Sequence, residues 1–135
     1  PGASATLGGR SLRSIPVNHS IPAVGYLLGN GRASLAFSGD TSSTDVFWQV
    51  LNACADLRQV IIETSFTDEE EALSRLSGHL YPRLLAQELA KLKRAASVYI
   101  THLMPGEEEA IMAEIHGHLP DNPPQALRAG MVFDL

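Results

Sequence analysis

Apolar residues recur along this chain at two spacings, and the spacing identifies the elements. Leu12–His19, with Ile15 and Val17 alternating against polar neighbours, predicts a strand, as do Pro22–Leu28 and Ala33–Phe37. The last two flank Gly29-Asn30-Gly31, and an Asn-Gly pair between apolar runs is a strong hairpin signal. Further on, Val46, Phe47, Val50, Leu51 and Cys54 fall at helical spacing behind Thr44 and Asp45, which can cap a helix. Thr67 and Glu70 have the spacing of a capping box ahead of Ala72, Leu73 and Leu76. Leu84, Leu85, Leu89 and Leu92 line one face of a longer helix from about Pro82 to Ala95. Pro105 opens another, whose Glu107, Glu108 and Glu109 suit the positive end of a helix dipole. Between these helices lie Val60-Ile61-Ile62, wholly apolar and suited to a strand covered on both faces, and Ser97–Thr101. Pro120–Pro124 reads as a loop and Ala126–Phe133 as a closing strand. Residues 1–10, small and Gly-rich, read as a flexible arm. From residue 33 onward strands alternate with helices, which is an α/β layered pattern.

Composition narrows the partners. The 135 residues suffice for one compact domain, and 44% apolar with 19% charged residues is ordinary for a soluble globular protein. A formal net charge of -5 argues against a nucleic-acid backbone, which requires a basic stripe. The one basic cluster, Lys91, Lys93 and Arg94, lies in a helical stretch and reads as a solvated face. A single cysteine, Cys54, excludes an internal disulfide and a Cys-rich zinc site, and its apolar neighbours suggest a buried thiol. No apolar run approaches the ~20 residues of a membrane span, so no membrane partner is expected. The start Pro1-Gly2-Ala3-Ser4 lacks Met and any signal-peptide pattern, which suggests a processed or truncated product and leaves cytoplasm and periplasm both open.

Chemistry-bearing residues gather just past the apolar runs, where an α/β sheet presents its site. The segments are Asn18-His19-Ser20, Ser38-Gly39-Asp40-Thr41, Ile62-Glu63-Thr64-Ser65-Phe66, Gly78-His79-Leu80 and Ile100-Thr101-His102. Singly each has an ordinary explanation: a histidine at a strand end is often structural, and Asp before Thr is often a helix cap. Together, two histidines and an aspartate at strand ends make a metal site suited to zinc, which accepts both imidazole nitrogen and carboxylate oxygen.

The order of these segments resembles the second half of the class II cyclic-nucleotide phosphodiesterases of the metallo-β-lactamase superfamily. The run His19-Ser20-Ile21-Pro22-Ala23-Val24-Gly25-Tyr26 is followed by Ser38-Gly39-Asp40-Thr41 and then by Ile62-Glu63-Thr64-Ser65-Phe66. Gly78-His79-Leu80-Tyr81-Pro82 comes next, with Leu85 and Glu88-Leu89, and then Val98-Tyr99-Ile100 leading into Thr101-His102-Leu103-Met104-Pro105. The match covers about residues 15–106. It implies an α/β fold, the C-terminal half of a metallo-β-lactamase αββα sandwich, spanning residues 1–135. It implies zinc, two ions per complete site, with His19 and His102 as ligands and Asp40 as the bridging carboxylate. Glu63 and His79 resemble the carboxylate–imidazole pair that assists phosphoester cleavage. A Glu beside a His orients the ring and favours its protonated form, which suits a general acid. The implied reaction is hydrolysis of 3′,5′-cyclic AMP or GMP to the 5′-nucleotide.

One departure is large. The superfamily's His-x-His-x-Asp-His signature, which supplies most ligands of both metals, is not in this sequence. The one His-x-His, His116-Gly117-His118, lies near a predicted helix end without a following Asp-His and reads as surface histidines. The expectation is that an N-terminal half or a second chain completes the site, with self-association through the face that half would cover. The alternatives are a tRNA 3′-processing nuclease or other hydrolase of the same fold, and a non-catalytic remnant or association module.

Overall fold

The computed structural model describes residues 2–135. Seven strands, β1 (Ser4–Leu7), β2 (Arg10–Pro16), β3 (Val24–Gly29), β4 (Ser34–Phe37), β5 (Leu57–Glu63), β6 (Ser97–Thr101) and β7 (Gln125–Ala126), form one sheet in sequence order. β1 to β4 are an antiparallel meander, whereas β4, β5, β6 and β7 run parallel. Each parallel step needs a crossover. The crossovers carry α1 (Asp45–Ala53), then α2 (Glu71–Ser77) with α3 (Pro82–Leu89), then α4 (Glu108–His118). Because β2 runs with β4, the C-terminal ends of β2, β4, β5 and β6 all meet at one edge of the sheet.

The pleat divides the strands into two faces. Ile15, Ala36, Val60, Ile62 and Ile100 point to the helices and form one buried cluster with Phe47, Trp48 and Leu51 of α1, Leu84 and Leu85 of α3, and Ile111 and Ile115 of α4. The other face carries Leu12, Tyr26 and Phe37, all exposed, with Tyr26 directly opposite Phe37. On that face the C-terminal tail crosses β6, where the ring of Phe133 meets Tyr99 edge-on at 4.9 Å. Val60, Ile61 and Ile62 are all buried, as their apolar run suggests. Among the described residues, no helix is long and apolar enough to cross a membrane.

Several expectations are corrected. Of the flexible arm expected at residues 1–10, Pro1 lies outside the described residues, and Ser4–Leu7 instead pairs with Arg10–Arg13 in a hairpin. Gly8 and Gly9 both have positive φ, 55° and 76°, which is what a two-residue turn joining twisted strands requires. The hairpin expected at Asn30-Gly31 is present, and its turn is a four-residue loop in which Asn30 Oδ1 accepts hydrogen bonds from the amides of Arg32 (2.8 Å) and Ala33 (3.0 Å). The capping box at Thr67 and Glu70 is present, but it opens a 3-10 turn, Asp68–Glu70, ahead of α2. Leu73 and Leu76 are 47% and 81% exposed, because α2 turns Ser74 inward, where its hydroxyl donates to the His79 carbonyl. The third helix stops at Leu89, six residues short of Ala95, as Lys91 N and Leu92 N tighten onto the carbonyls of Glu88 and Leu89. The closing strand shrinks to Gln125–Ala126, since the chain bends back where Met131 N bonds Arg128 O, beside Gly130 at φ 86°.

These placements separate two leucines that the sequence treats alike. Leu85→Ala, at a fully buried site, should lower the unfolding free energy by about 3 kcal/mol. Leu76→Ala should change it by less than about 0.5 kcal/mol. Urea denaturation of both variants checks this, and equal effects would contradict the packing described.

Candidate functional site

The edge where four parallel-running strands end collects every candidate residue. His19 follows β2, Asp40 follows β4, Glu63 ends β5 and His102 follows β6. His79 comes from the crossover between α2 and α3. One potential ligand atom each from His19, Asp40 and His79 lies within 4.8 Å of the other two. His102 joins them, with its Nε2 3.4 Å from Asp40 Oδ1. The ring of His79 sits between the other two imidazoles, with centroids 4.8 Å from His19 and 5.0 Å from His102. The structure therefore brings together all five residues singled out from the sequence. It adds His79 to the cluster of His19 and Asp40, where the sequence had paired it with Glu63 alone.

Glu63 is fully buried and its carboxylate is satisfied on all sides. Oε1 accepts from Thr41 N at 2.9 Å and His79 Nδ1 at 2.6 Å, while Oε2 accepts from Leu80 N and Ser65 Oγ, both at 3.2 Å. Four donors fill the acceptor capacity of a carboxylate. Because Glu63 accepts throughout, His79 Nδ1 carries the proton in this contact and Nε2 is directed to the cluster. His19 is fixed the same way, its Nδ1 donating to the Gly78 carbonyl at 2.9 Å. Each ring is thus oriented by its far nitrogen, the arrangement usual for metal-ligating histidines.

Local backbone geometry serves these contacts. Gly78 has φ 82°, and a Cβ there would meet Ser20 N at 2.6 Å and His19 Nδ1 at 3.1 Å, so only glycine lets the two loops approach. His102 is the one non-glycine residue with positive φ (62°) among the described residues. A left-handed histidine costs backbone energy, and such strain gathers at functional sites. The loop of Asp40 is clasped to the segment of His19: Asn18 N donates to Thr41 Oγ1 (3.3 Å) and Asn18 Nδ2 to Ser43 O (3.2 Å), while Asn18 O accepts from Ser42 N.

The donor set fits a divalent metal ion of the kind the fold implies. Imidazole nitrogens and a carboxylate converge with both Nδ1 atoms already engaged, and that combination suits zinc or a similar borderline ion. His79 holds its proton more firmly than an ordinary histidine. The hydrogen bond it donates to Glu63 is the largest cause; partial burial opposes it, and the charges of Glu63 and Asp40 reinforce it. His116 and His118 lie elsewhere, bonded to the Pro124 carbonyl (2.9 Å) and to Asp68 Oδ2 (2.6 Å).

Residues 1–103 match the family model described as the β-lactamase superfamily domain, and the chain belongs to that family. No curated protein is similar in sequence at a significant level. Among solved structures, the chain is similar to the metallo-β-lactamase fold protein YhfI from Bacillus subtilis, with TM-score 0.81 and 16% identity over 99% of this chain and 53% of that one. It is also similar to yeast PDE1 without ligand, with TM-score 0.73 and 19% identity over 93% of this chain and 45% of that one. A diphosphatase of the PhnP family gives TM-score 0.71 and 22% identity over the whole of this chain and 48% of that one. The fold is that of the metallo-β-lactamases, and the chain spans about half the length of the structures it matches.

The raised pKa of His79 gives a pH test of the Glu63 contact. A group whose pKa rises on folding contributes stability below its unfolded pKa and loses it as pH climbs through the folded value. The metal-free chain should therefore lose stability from the ordinary histidine range upward, and Glu63→Gln should flatten that decline. Urea midpoints across pH 6 to 9 (about the range in which imidazoles titrate) check this. An unchanged slope in Glu63→Gln would contradict it.

Proposed function

We propose that this chain is the C-terminal half of a zinc-dependent phosphodiesterase that opens 3′,5′-cyclic nucleotides to 5′-nucleotides. The observation that carries the reading is the convergence of His19, Asp40 and His102 around a His79 already oriented by a buried carboxylate. The ordered segments that resemble class II cyclic-nucleotide phosphodiesterases, and the likeness in fold to yeast PDE1, support it. His19, Asp40 and His102 would hold zinc, with Asp40 shared between two ions, and the remaining ligands would come from an N-terminal half or a second chain. Zinc at such a site supplies charge neutralisation for the phosphodiester and an activated water.

The chain's own residues account for the proton. With Nδ1 held by Glu63, protonated His79 presents Nε2–H to the site. As the bond from phosphorus to the 3′-oxygen breaks, that oxygen takes the Nε2 proton, and solvent reprotonates the neutral ring afterwards. The hydrogen bond that His79 donates to Glu63 orients the ring and raises its pKa, and both support the role of proton donor. The 3.4 Å approach of His102 to Asp40 supports His102 as a ligand beside Asp40 and His19.

His79→Ala in the complete enzyme should slow cyclic AMP hydrolysis by about 10²–10⁴-fold, the range for general acid–base groups, with zinc content unchanged. Asp40→Ala should lose metal and activity together. Turnover assays with metal analysis of the same samples check both. Loss of zinc from His79→Ala would make it a ligand, and zinc retention without any turnover in the parent would favour an association module.

A further inference from the structure

Among the described residues the fold buries two carboxylates, Glu63 at 0% and Glu88 at 2% exposure, and both accept hydrogen bonds from one loop. Glu63 takes Thr41 N from the sheet side. Glu88, on α3, takes Ser43 Oγ at 2.6 Å and Thr44 N at 3.2 Å from the helix side. Its other partners are Trp48 Nε1 of α1 at 2.7 Å and Lys91 Nζ at 2.7 Å, and Lys91 reaches on to Asp45 at 2.8 Å. Thr44, the N-cap of α1, makes no side-chain cap of its own, and the Glu88 carboxylate accepts from the Thr44 amide at the positive end of that helix.

A buried carboxylate is costly unless its partners are complete, so the fold gains little from Glu88 that an apolar residue would not supply. What Glu88 provides is location. The segment 38–44 leaves β4, carries Asp40 next to its midpoint Thr41, and enters α1 at the point Glu88 grips. We infer that Glu88 is a positioning residue for Asp40, fixing the far end of the loop while Glu63 fixes the near side; this rests on the reading of Asp40 as a metal ligand. Residues behind a metal ligand typically alter affinity by about 10–100-fold when removed.

Three variants separate positioning from simple stability. Glu88→Gln removes the charge, Ser43→Ala removes one bond from an exposed side chain, and Trp48→Phe removes a different donor without touching the loop. Ser43→Ala keeps the test open if Glu88→Gln folds poorly. Hydrogen exchange of the Thr41 and Ser42 amides in the metal-free full chain reads the loop, zinc affinity by chelator competition reads the site, and urea midpoints rank stability. Glu88→Gln and Ser43→Ala should speed exchange at both amides and weaken zinc binding, each by about tenfold, while Trp48→Phe leaves both within about twofold. Unchanged exchange and affinity in the first two, or equal changes in Trp48→Phe, would overturn the inference. Zinc affinity is read on the complete enzyme, which supplies the remaining ligands, and faster exchange where that complete parent binds no zinc would uphold the positioning of the loop and reject the metal reading instead.

Discussion

The site depends on one fully buried carboxylate. Glu63 ends the central parallel strand, and its two oxygens hold the loop that carries Asp40, the ring of His79 and the amide of Leu80 that opens the next helix. Such a group is tolerable in the interior because all its acceptor sites are filled. Removing one donor leaves an unsatisfied charge, and removing the carboxylate leaves several orphaned donors, so the three segments are coupled. Glu63 therefore links the loop of Asp40 directly to His79, while Asn18 and Glu88 hold the same loop from its other sides.

The sheet makes that intermediary possible. Parallel strands β4, β5 and β6 bring their C-terminal ends to one edge, and the antiparallel meander returns β2 in the same direction, so His19 arrives beside residues far from it in sequence. Helices α1, α3 and α4 pack on one face, and the opposite face presents Leu12, Tyr26 and Phe37 to solvent. A face of that kind suits a second layer, in keeping with the roughly twofold greater length of the structures this chain resembles.

Much of this is legible in the sequence, and the gaps have physical causes. Strands and helices follow from period wherever burial is one-sided, and the five site segments announce themselves by lying just past apolar runs. Leu73 and Leu76 mislead because α2 is too short for its period to select a face, and Ser74 supplies the inward contact. Gly8-Gly9 reads as a loose arm because composition does not distinguish a two-glycine turn from disorder. The cluster of His79 with His19 and Asp40 depends on the close approach of Gly78 to Ser20, a distance that no spacing reports. Glu88 did leave a signal: it occupies the i+4 position from Leu84 and the i−4 position from Leu92, inside an otherwise apolar face.

The most direct measurement is nuclear magnetic resonance of the histidine ring nitrogens and the Thr41 amide in the chain and in Glu63→Gln. His79 should carry its proton on Nδ1, with the Nδ1 proton and the Thr41 amide proton both shifted far downfield. Both signals should move together when the carboxylate is replaced. A His79 protonated on Nε2 alone, or a Thr41 amide indifferent to Glu63→Gln, would contradict the claim that one carboxylate organises the site.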